Sequence, residues 1–153
     1  MKLVILGVGG MGAITLSKII AQMCIEKDIP VRSSEIHGMA KKGGLVEIQM
    51  KIGSGKSGVV LKKTADFAIV LDKEYEDYAK SYLKNGEKGL ITLTDEEKVW
   101  AAQELGDVRF ANAFLLGRFI KNQSIFDKDD ALSVLKGFKF FDKNKISFER
   151  GLS

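Results

Sequence analysis

Two glycine-rich stretches gather the residues of this chain that could do chemistry. The first is GVGGMG at 7–12, where Gly7, Gly9 and Gly12 fit the G-x-G-x-x-G spacing and Gly10 adds a fourth glycine. In such a turn the first glycine allows the bend, the second lets backbone approach a phosphate, and the third lets helix and strand pack closely. The N–H groups of Met11 and its neighbours would then form an anion seat at the positive end of a helix. The same turn with no ligand is the alternative. The second stretch, SSEIHGMAKKGG at 33–44, holds the only histidine, His37, together with Glu35, Lys41 and Lys42. Gly38, Gly43 and Gly44 give it backbone conformations closed to other residues. A metal site is disfavoured, because no second histidine exists and the single cysteine is Cys24. No serine or cysteine stands at a recognisable nucleophile elbow. The stretch reads either as a solvated loop with a hydrogen-bonding histidine or as a positioning loop. In the second case Lys41 and Lys42 attract phosphate or an acidic partner, while His37 with Glu35 fixes the geometry.

The elements around these stretches must place them on one rim. Residues 3–6, LVIL, are an apolar run of strand length, and the spacing predicts a helix over 11–27 with Thr15, Lys18, Gln22 and Glu26 on one polar stripe. Cys24 lies off that stripe and reads as an inert core thiol. Pro30 opens a short strand, PVRSSE, so both glycine stretches leave the carboxyl ends of early strands, where ligands of open α/β sheets bind. Glu35 stands near the place of a nicotinamide-binding acidic residue, but a loop follows it rather than a helix. LVEIQMKI at 45–52 alternates, with Val46, Ile48, Met50 and Ile52 on one face. Glu47, Gln49 and Lys51 take the other face, expected to meet water or a partner subunit. GSGKSG at 53–58 ends like a P-loop, yet Met50 occupies the first glycine position and no long helix follows. It reads as a turn into a second short strand, GVVLK.

FAIVL at 67–71 is apolar throughout, as in a strand buried on both faces. Tyr75, Tyr78, Ala79, Tyr82 and Leu83 form a helix face, LITLT a further strand, and Thr94 with Glu97 a capping-box pattern in a helix that Gly106 stops. From Arg109 onward the segments FANAFLLGRFI, DKDDALSVLKGF and the closing turn read as helical. This order predicts one α/β domain over 1–153: a three-layer Rossmann-like sandwich with a largely parallel central sheet and a helical C-terminal part.

Charged residues make up 29% of the chain, and the net charge of +4 is scattered from Lys2 to Arg150. That pattern excludes a nucleic-acid arm and suits a small polyanion or an acidic partner. One cysteine excludes an internal disulfide or a cysteine-ligated cluster and fits a reducing cytoplasm. The apolar start mimics a signal peptide, but glycines interrupt it and no cleavage site or membrane-spanning length follows. The chain is expected to be mature, cytoplasmic and free of the membrane.

GVGGMG, SSEIHGMAKKGG and TADFAIVLD (64–72) together resemble the gamma subunit of 2-oxoacid:ferredoxin oxidoreductases, the family of pyruvate, 2-oxoglutarate and indolepyruvate enzymes. The S-E-x-H-G-M loop, ending at Met39, is specific in combination with the glycine turn. DKNKISFERG resembles the family's closing helix, with Asn144 and Phe148 at matching places. Two departures stand out. Lys41–Lys42 replace a frequent glutamine–arginine pair, and lysine lacks arginine's planar fork; the chain also looks shorter than typical members after LITLT. The resemblance implies a component of a complex that oxidatively decarboxylates a 2-oxoacid with coenzyme A to an acyl-CoA. Electrons would pass through 4Fe-4S clusters to ferredoxin. It implies a thiamine-binding beta-type subunit, an alpha-type subunit and a ferredoxin-type delta subunit as partners. Thiamine diphosphate, its Mg and the clusters would lie on those partners, with no metal or catalytic residue on this chain. The gamma domain would cap the active site and help hold coenzyme A through Gly7, Gly9, Gly10, Met11 and Gly12 on one rim. Glu35, His37, Gly38, Met39, Lys41, Lys42, Gly43 and Gly44 would serve on the other. A stand-alone Rossmann-like nucleotide-binding regulatory or sensor domain is the alternative.

Overall fold

The computed structural model describes residues 1–37, 44–53 and 55–153, with His37 described by its backbone alone. In chain order the elements are β1 (Lys2–Val8), α1 (Ala13–Glu26), β2 (Val31–His37), β3 (Leu45–Ile52), β4 (Phe67–Val70), α2 (Glu76–Lys80), β5 (Leu90–Thr92), α3 (Asp95–Trp100), α4 (Ala111–Asn122), α5 (Lys128–Leu135) and α6 (Phe141–Leu152). One sheet takes the order β2-β3-β1-β4-β5. β1, β4 and β5 pair in parallel, whereas β3 runs antiparallel to both β1 and β2. Four strands therefore share one direction, as a largely parallel sheet requires, but the pairings divide evenly between the two kinds. The reason is the β2–β3 hairpin: its return strand enters between β2 and β1 instead of lying at the edge.

The sheet is covered unequally. Leu3 and Ile5 of β1 point into a large cluster with α1, α4, α5 and α6, while Val4 and Leu6 point into a smaller one with Val60, Ala79 and Leu83. This is the both-faces burial that a continuous apolar strand encodes. α1 starts at Ala13, later than the sequence suggests, because Gly12 ahead of it is left-handed at φ 96°. Cys24 lies fully buried in α1, and that burial pushes its thiol up to about 11. α4 and α6 meet backbone to backbone: a Cβ on Gly117 would strike the Phe148 carbonyl, and one on Gly151 the Phe114 carbonyl.

Two expectations change on the thin side of the sheet. Glu47 and Gln49 do not face water; each is only 3% exposed. Tyr78 and Tyr82 donate their hydroxyls to the two Glu47 carboxylate oxygens at 2.6 Å each, and Gln49 Nε2 donates to Glu47 Oε2 at 2.5 Å. Burial of a carboxylate is tolerable only with donors of this kind. The second change is GVVLK, which forms no strand. Val60 N–H donates to Gln49 Oε1 at 2.7 Å rather than to a neighbouring strand. Lys62 Nζ lies 4.0 Å and 3.9 Å from the Tyr78 and Tyr82 ring centroids, which fastens this segment across the sheet face.

Capping follows the sequence in part. Thr94 Oγ1 accepts from Glu97 N–H at 3.2 Å, but the Glu97 carboxylate turns to Arg150 Nε at 3.3 Å instead of closing the box. Gly106 (φ 90°) ends the π-helical turn that follows α3. A complete capping box starts α5, between Asp127 and Asp130.

Candidate functional site

β1 and β2 end side by side on β3, with Val8 opposite Leu45 and His37 opposite Val46. β1 and β2 therefore stop at the same end of the sheet. One position past the Val8–Leu45 pair, Gly9 N–H donates to the Gly44 carbonyl at 3.2 Å. Gly38, Met39, Lys41, Lys42 and Gly43 lie outside the described residues, as does the His37 side chain. Glu35 stands exposed on edge strand β2.

The glycines divide their work differently from the general rule. A Cβ on Gly7 would pack against Leu71 and Ala13, so it is the first glycine that brings strand and helix close. Gly12 admits a side chain instead: its Cβ would collide with Asn112 Nδ2, which donates to the Met11 carbonyl at 2.6 Å. At Gly9 nothing among the described residues lies within 4 Å of where a Cβ would stand. The amides expected to form an anion seat are in part already used. Met11 N–H is spent on the Val8 carbonyl at 3.1 Å, and Gly9 N–H on Gly44. α1 begins with no side-chain cap and no acidic residue in its first turn, which leaves Ala13, Ile14 and Thr15 to supply its N-terminal donors.

Beside this turn opens a cavity of about 670 Å³, bounded by α1, the start of α4 and the segment joining α5 to α6. Its inner walls are apolar, with Leu16, Leu116 and Leu135 among them. Phe110 and Phe140 stand at the mouth, ring centroids 5.7 Å apart and planes at 84°. Phe140 is 66% exposed and left-handed at φ 60°. Asn144 fixes this corner: Nδ2 donates to the Lys139 carbonyl at 3.1 Å and its N–H to the Phe140 carbonyl at 3.0 Å.

The cations at the mouth are not equivalent. Arg109 lies against Asp107, Nη2 to Oδ2 at 2.8 Å, and the guanidinium with the Arg109 N–H holds the Asp107 carboxyl below its ordinary value. Lys139 has no ion pair among the described residues and is the freer positive charge there. Of these mouth residues the sequence pointed only to Asn144, through the family resemblance. Asn112 carried a readable signal, a lone amide inside the apolar run FANAFLLG.

The pyruvate ferredoxin/flavodoxin oxidoreductase family profile matches residues 2–153. The indolepyruvate oxidoreductase subunit IorB of Archaeoglobus fulgidus is 40% identical over 86 residues, covering 56% of this chain and 43% of that protein. The subunit of the same name from Methanothermobacter thermautotrophicus is 41% identical over 66 residues, 43% of this chain and 34% of its own length. The matches thus span less than half of these relatives. A pyruvate oxidoreductase subunit from Thermotoga maritima superposes with a TM-score of 0.81 at 20% identity, covering 99% of this chain and 94% of that one. A keto/oxoacid ferredoxin oxidoreductase gamma subunit from Geobacter sulfurreducens gives 0.77 at 20%, covering 98% and 95%. With those coverages the shortening expected after LITLT is slight. The 2-oxoglutarate:ferredoxin oxidoreductase of Magnetococcus marinus, solved with 2-oxoglutarate, coenzyme A and succinyl-CoA, gives 0.75 at 20%, covering 99% of this chain and 30% of that one. At such identity the structural likeness speaks for the fold. Joined to a profile that runs nearly end to end, it establishes that the chain belongs to the pyruvate ferredoxin/flavodoxin oxidoreductase family and has the fold of its gamma subunits.

Proposed function

We propose that this chain works within a 2-oxoacid:ferredoxin oxidoreductase by capping the active site and holding coenzyme A, the acyl acceptor of the reaction. The observation that carries the reading is the convergence of the ends of β1 and β2 on β3, with Gly9 N–H on the Gly44 carbonyl and, among the described residues, nothing within 4 Å of a Cβ at Gly9. Coenzyme A bears a diphosphate and a ribose phosphate. The first-turn amides of α1 and the exposed Lys139 offer the donors and charge such groups need, and Lys41 and Lys42 would add theirs. Each helix-end or surface-charge contact contributes only about 0.3–1 kcal/mol, so several must act together. The role assigned to His37 and Glu35 is positioning.

Thiamine diphosphate with its Mg, and the 4Fe-4S clusters, would belong to the alpha-, beta- and delta-type partners, with ferredoxin as acceptor. Choice of 2-oxoacid would rest with the thiamine-bearing partner. Affinity isolation of this chain from its native cell tests the assignment. It should bring down a thiamine-containing subunit and a ferredoxin-type subunit, and the recovered complex should reduce ferredoxin only with both a 2-oxoacid and coenzyme A. Isolation of the chain alone, with tight NAD binding indifferent to coenzyme A, would favour the stand-alone sensor.

A further inference from the structure

We propose that GVVLK, laid across the thin side of the sheet, is a docking strip for an acidic, extended segment of a partner subunit. The inference rests on reading this chain as one component of a complex and names where a partner takes hold. Residues 58–62 cross three elements. A Cβ on Gly58 would strike the Ser33 backbone and Ser34 Oγ of β2, and Val60 N–H reaches Gln49 of β3. Lys62 Nζ donates to Ser81 Oγ, just past α2, at 2.9 Å. Along the strip Val59 and Leu61 are 49% and 68% exposed, whereas Val60 between them is buried. That is the period of a strand, with two large aliphatic side chains turned outward. The Leu61 and Lys62 N–H groups have no acceptor among the described residues, so the main chain is unspent as well.

Charge defines what covers it. The strand register sets Arg32 opposite Lys51 and Lys51 opposite Lys2, a row of three cations on the face that the strip crosses. Like charges directly opposite one another destabilise a sheet. A Cβ on Gly55 would stand 3.0 Å from Lys51 Cδ, so the turn carries Lys56 to the same corner. Between Glu47 and Asp66 the chain holds four lysines and no acidic residue. Arg32, Lys51, Lys56 and Lys63 have no ion pair among the described residues. Glu47 does not neutralise the row, since its buried carboxylate is already taken by Tyr78, Tyr82 and Gln49.

An occupant must therefore supply three things at once. It needs carboxylates for the unpaired cations, apolar side chains for Val59 and Leu61, and main-chain acceptors for the free N–H groups. A free phosphate ion has no apolar part and leaves Val59 and Leu61 in water. A peptide segment in strand conformation carries all three, because its side chains alternate and its main chain faces its neighbour.

The test is carbodiimide coupling of the affinity-isolated complex, which joins a lysine amine to a carboxylate in direct contact. Lys56 and Lys63 should couple to one carboxylate-rich segment of a partner subunit. Amides of residues 58–62 should exchange hydrogen about tenfold more slowly in the complex than in the free chain. Arg32→Glu combined with Lys56→Glu should weaken association with that partner about tenfold at low salt. Both side chains are exposed, and Arg32→Glu turns a like-charge contact with Lys51 into an opposite one. The melting temperature of the free double variant should thus equal or exceed that of wild type. A complex that assembles with Lys56 and Lys63 uncoupled, and with 58–62 exchanging as in the free chain, overturns the docking strip and leaves the subunit reading standing. Coupling between two copies of this chain, or protection of 58–62 by phosphatidylserine vesicles but not by the complex, also overturns it. Isolation of the chain with no partner at all overturns both.

Discussion

Asn112 reaches back 101 residues to the Met11 carbonyl, and Gly12 is what lets it in. The two should therefore behave as one unit. Asn112→Ala removes a single hydrogen bond and should cost about 1 kcal/mol in urea denaturation. Gly12→Ala meets both the left-handed backbone and the Asn112 amide, and should cost about 1–3 kcal/mol. Made together, the two changes should cost measurably less than their sum, because the collision needs both partners. Glu47 gives a second prediction. Tyr82→Phe takes one of three donors from a buried carboxylate and should destabilise by about 1–3 kcal/mol. Tyr78→Phe should cost less, since Tyr78 is 38% exposed and water can take the place of its hydroxyl. Burial first, then the neighbouring Glu47, pushes the Tyr82 hydroxyl up from its usual value near 10. A group raised in the folded state stabilises below its unfolded value, and that contribution fades as pH rises past it. Wild type should thus lose stability above about pH 10 more steeply than Tyr82→Phe, as read by denaturation across alkaline pH.

Elements were legible where the pattern was local. β3 occupies 45–52, the stretch whose alternation marks it, and β1 and β4 fall on their apolar runs. The insertion of β3 between β1 and β2 was not legible, because alternation shows a strand's faces and not its neighbours. GVVLK has strand-forming residues but loses its strand to one side chain, Gln49, which takes the Val60 amide. The glycine turn could be read because its chemistry lies within six consecutive residues. Phe110 and Phe140 could not, since they come near the turn only through helices far along the chain; Asn112 stood out as a lone amide in an apolar run, but nothing local tied it to Met11. Strand β1 is anchored at its start by Asp66, which accepts from the Lys2 amide at 2.8 Å and pairs with Lys84. Partial burial alone would push the Asp66 carboxyl up; Lys84 and the Lys2 amide outweigh it and hold it below the usual range. A lowered carboxyl stabilises above its unfolded value near 4, and that stability is lost as pH falls through the folded one. Asp66→Asn should therefore lower the melting temperature at pH 7 and flatten its decline below pH 4.

At the scale of the whole molecule, the thick helical layer builds the cavity, and β1 and β2 stop at one end of the sheet beside it. α1 joins the two: its first turn follows the glycine turn that ends β1, and its Leu16 lines the cavity. α6 reaches the mouth because Gly117 and Gly151 let it lie directly on α4. A carrier bound at the rims would consequently touch β1, α1, α4 and α6 at once, which suits a domain that closes over a site built by partners. The most direct test of this account is the affinity of the assembled complex for coenzyme A with Gly9→Val in place. Among the described residues nothing stands within 4 Å of a Cβ at Gly9, so the variant should fold and assemble as wild type does. The account predicts a coenzyme A KM raised at least tenfold, on the order of 1.4 kcal/mol, with kcat at saturating coenzyme A preserved. A properly assembled Gly9→Val complex with an unchanged KM for coenzyme A would contradict it.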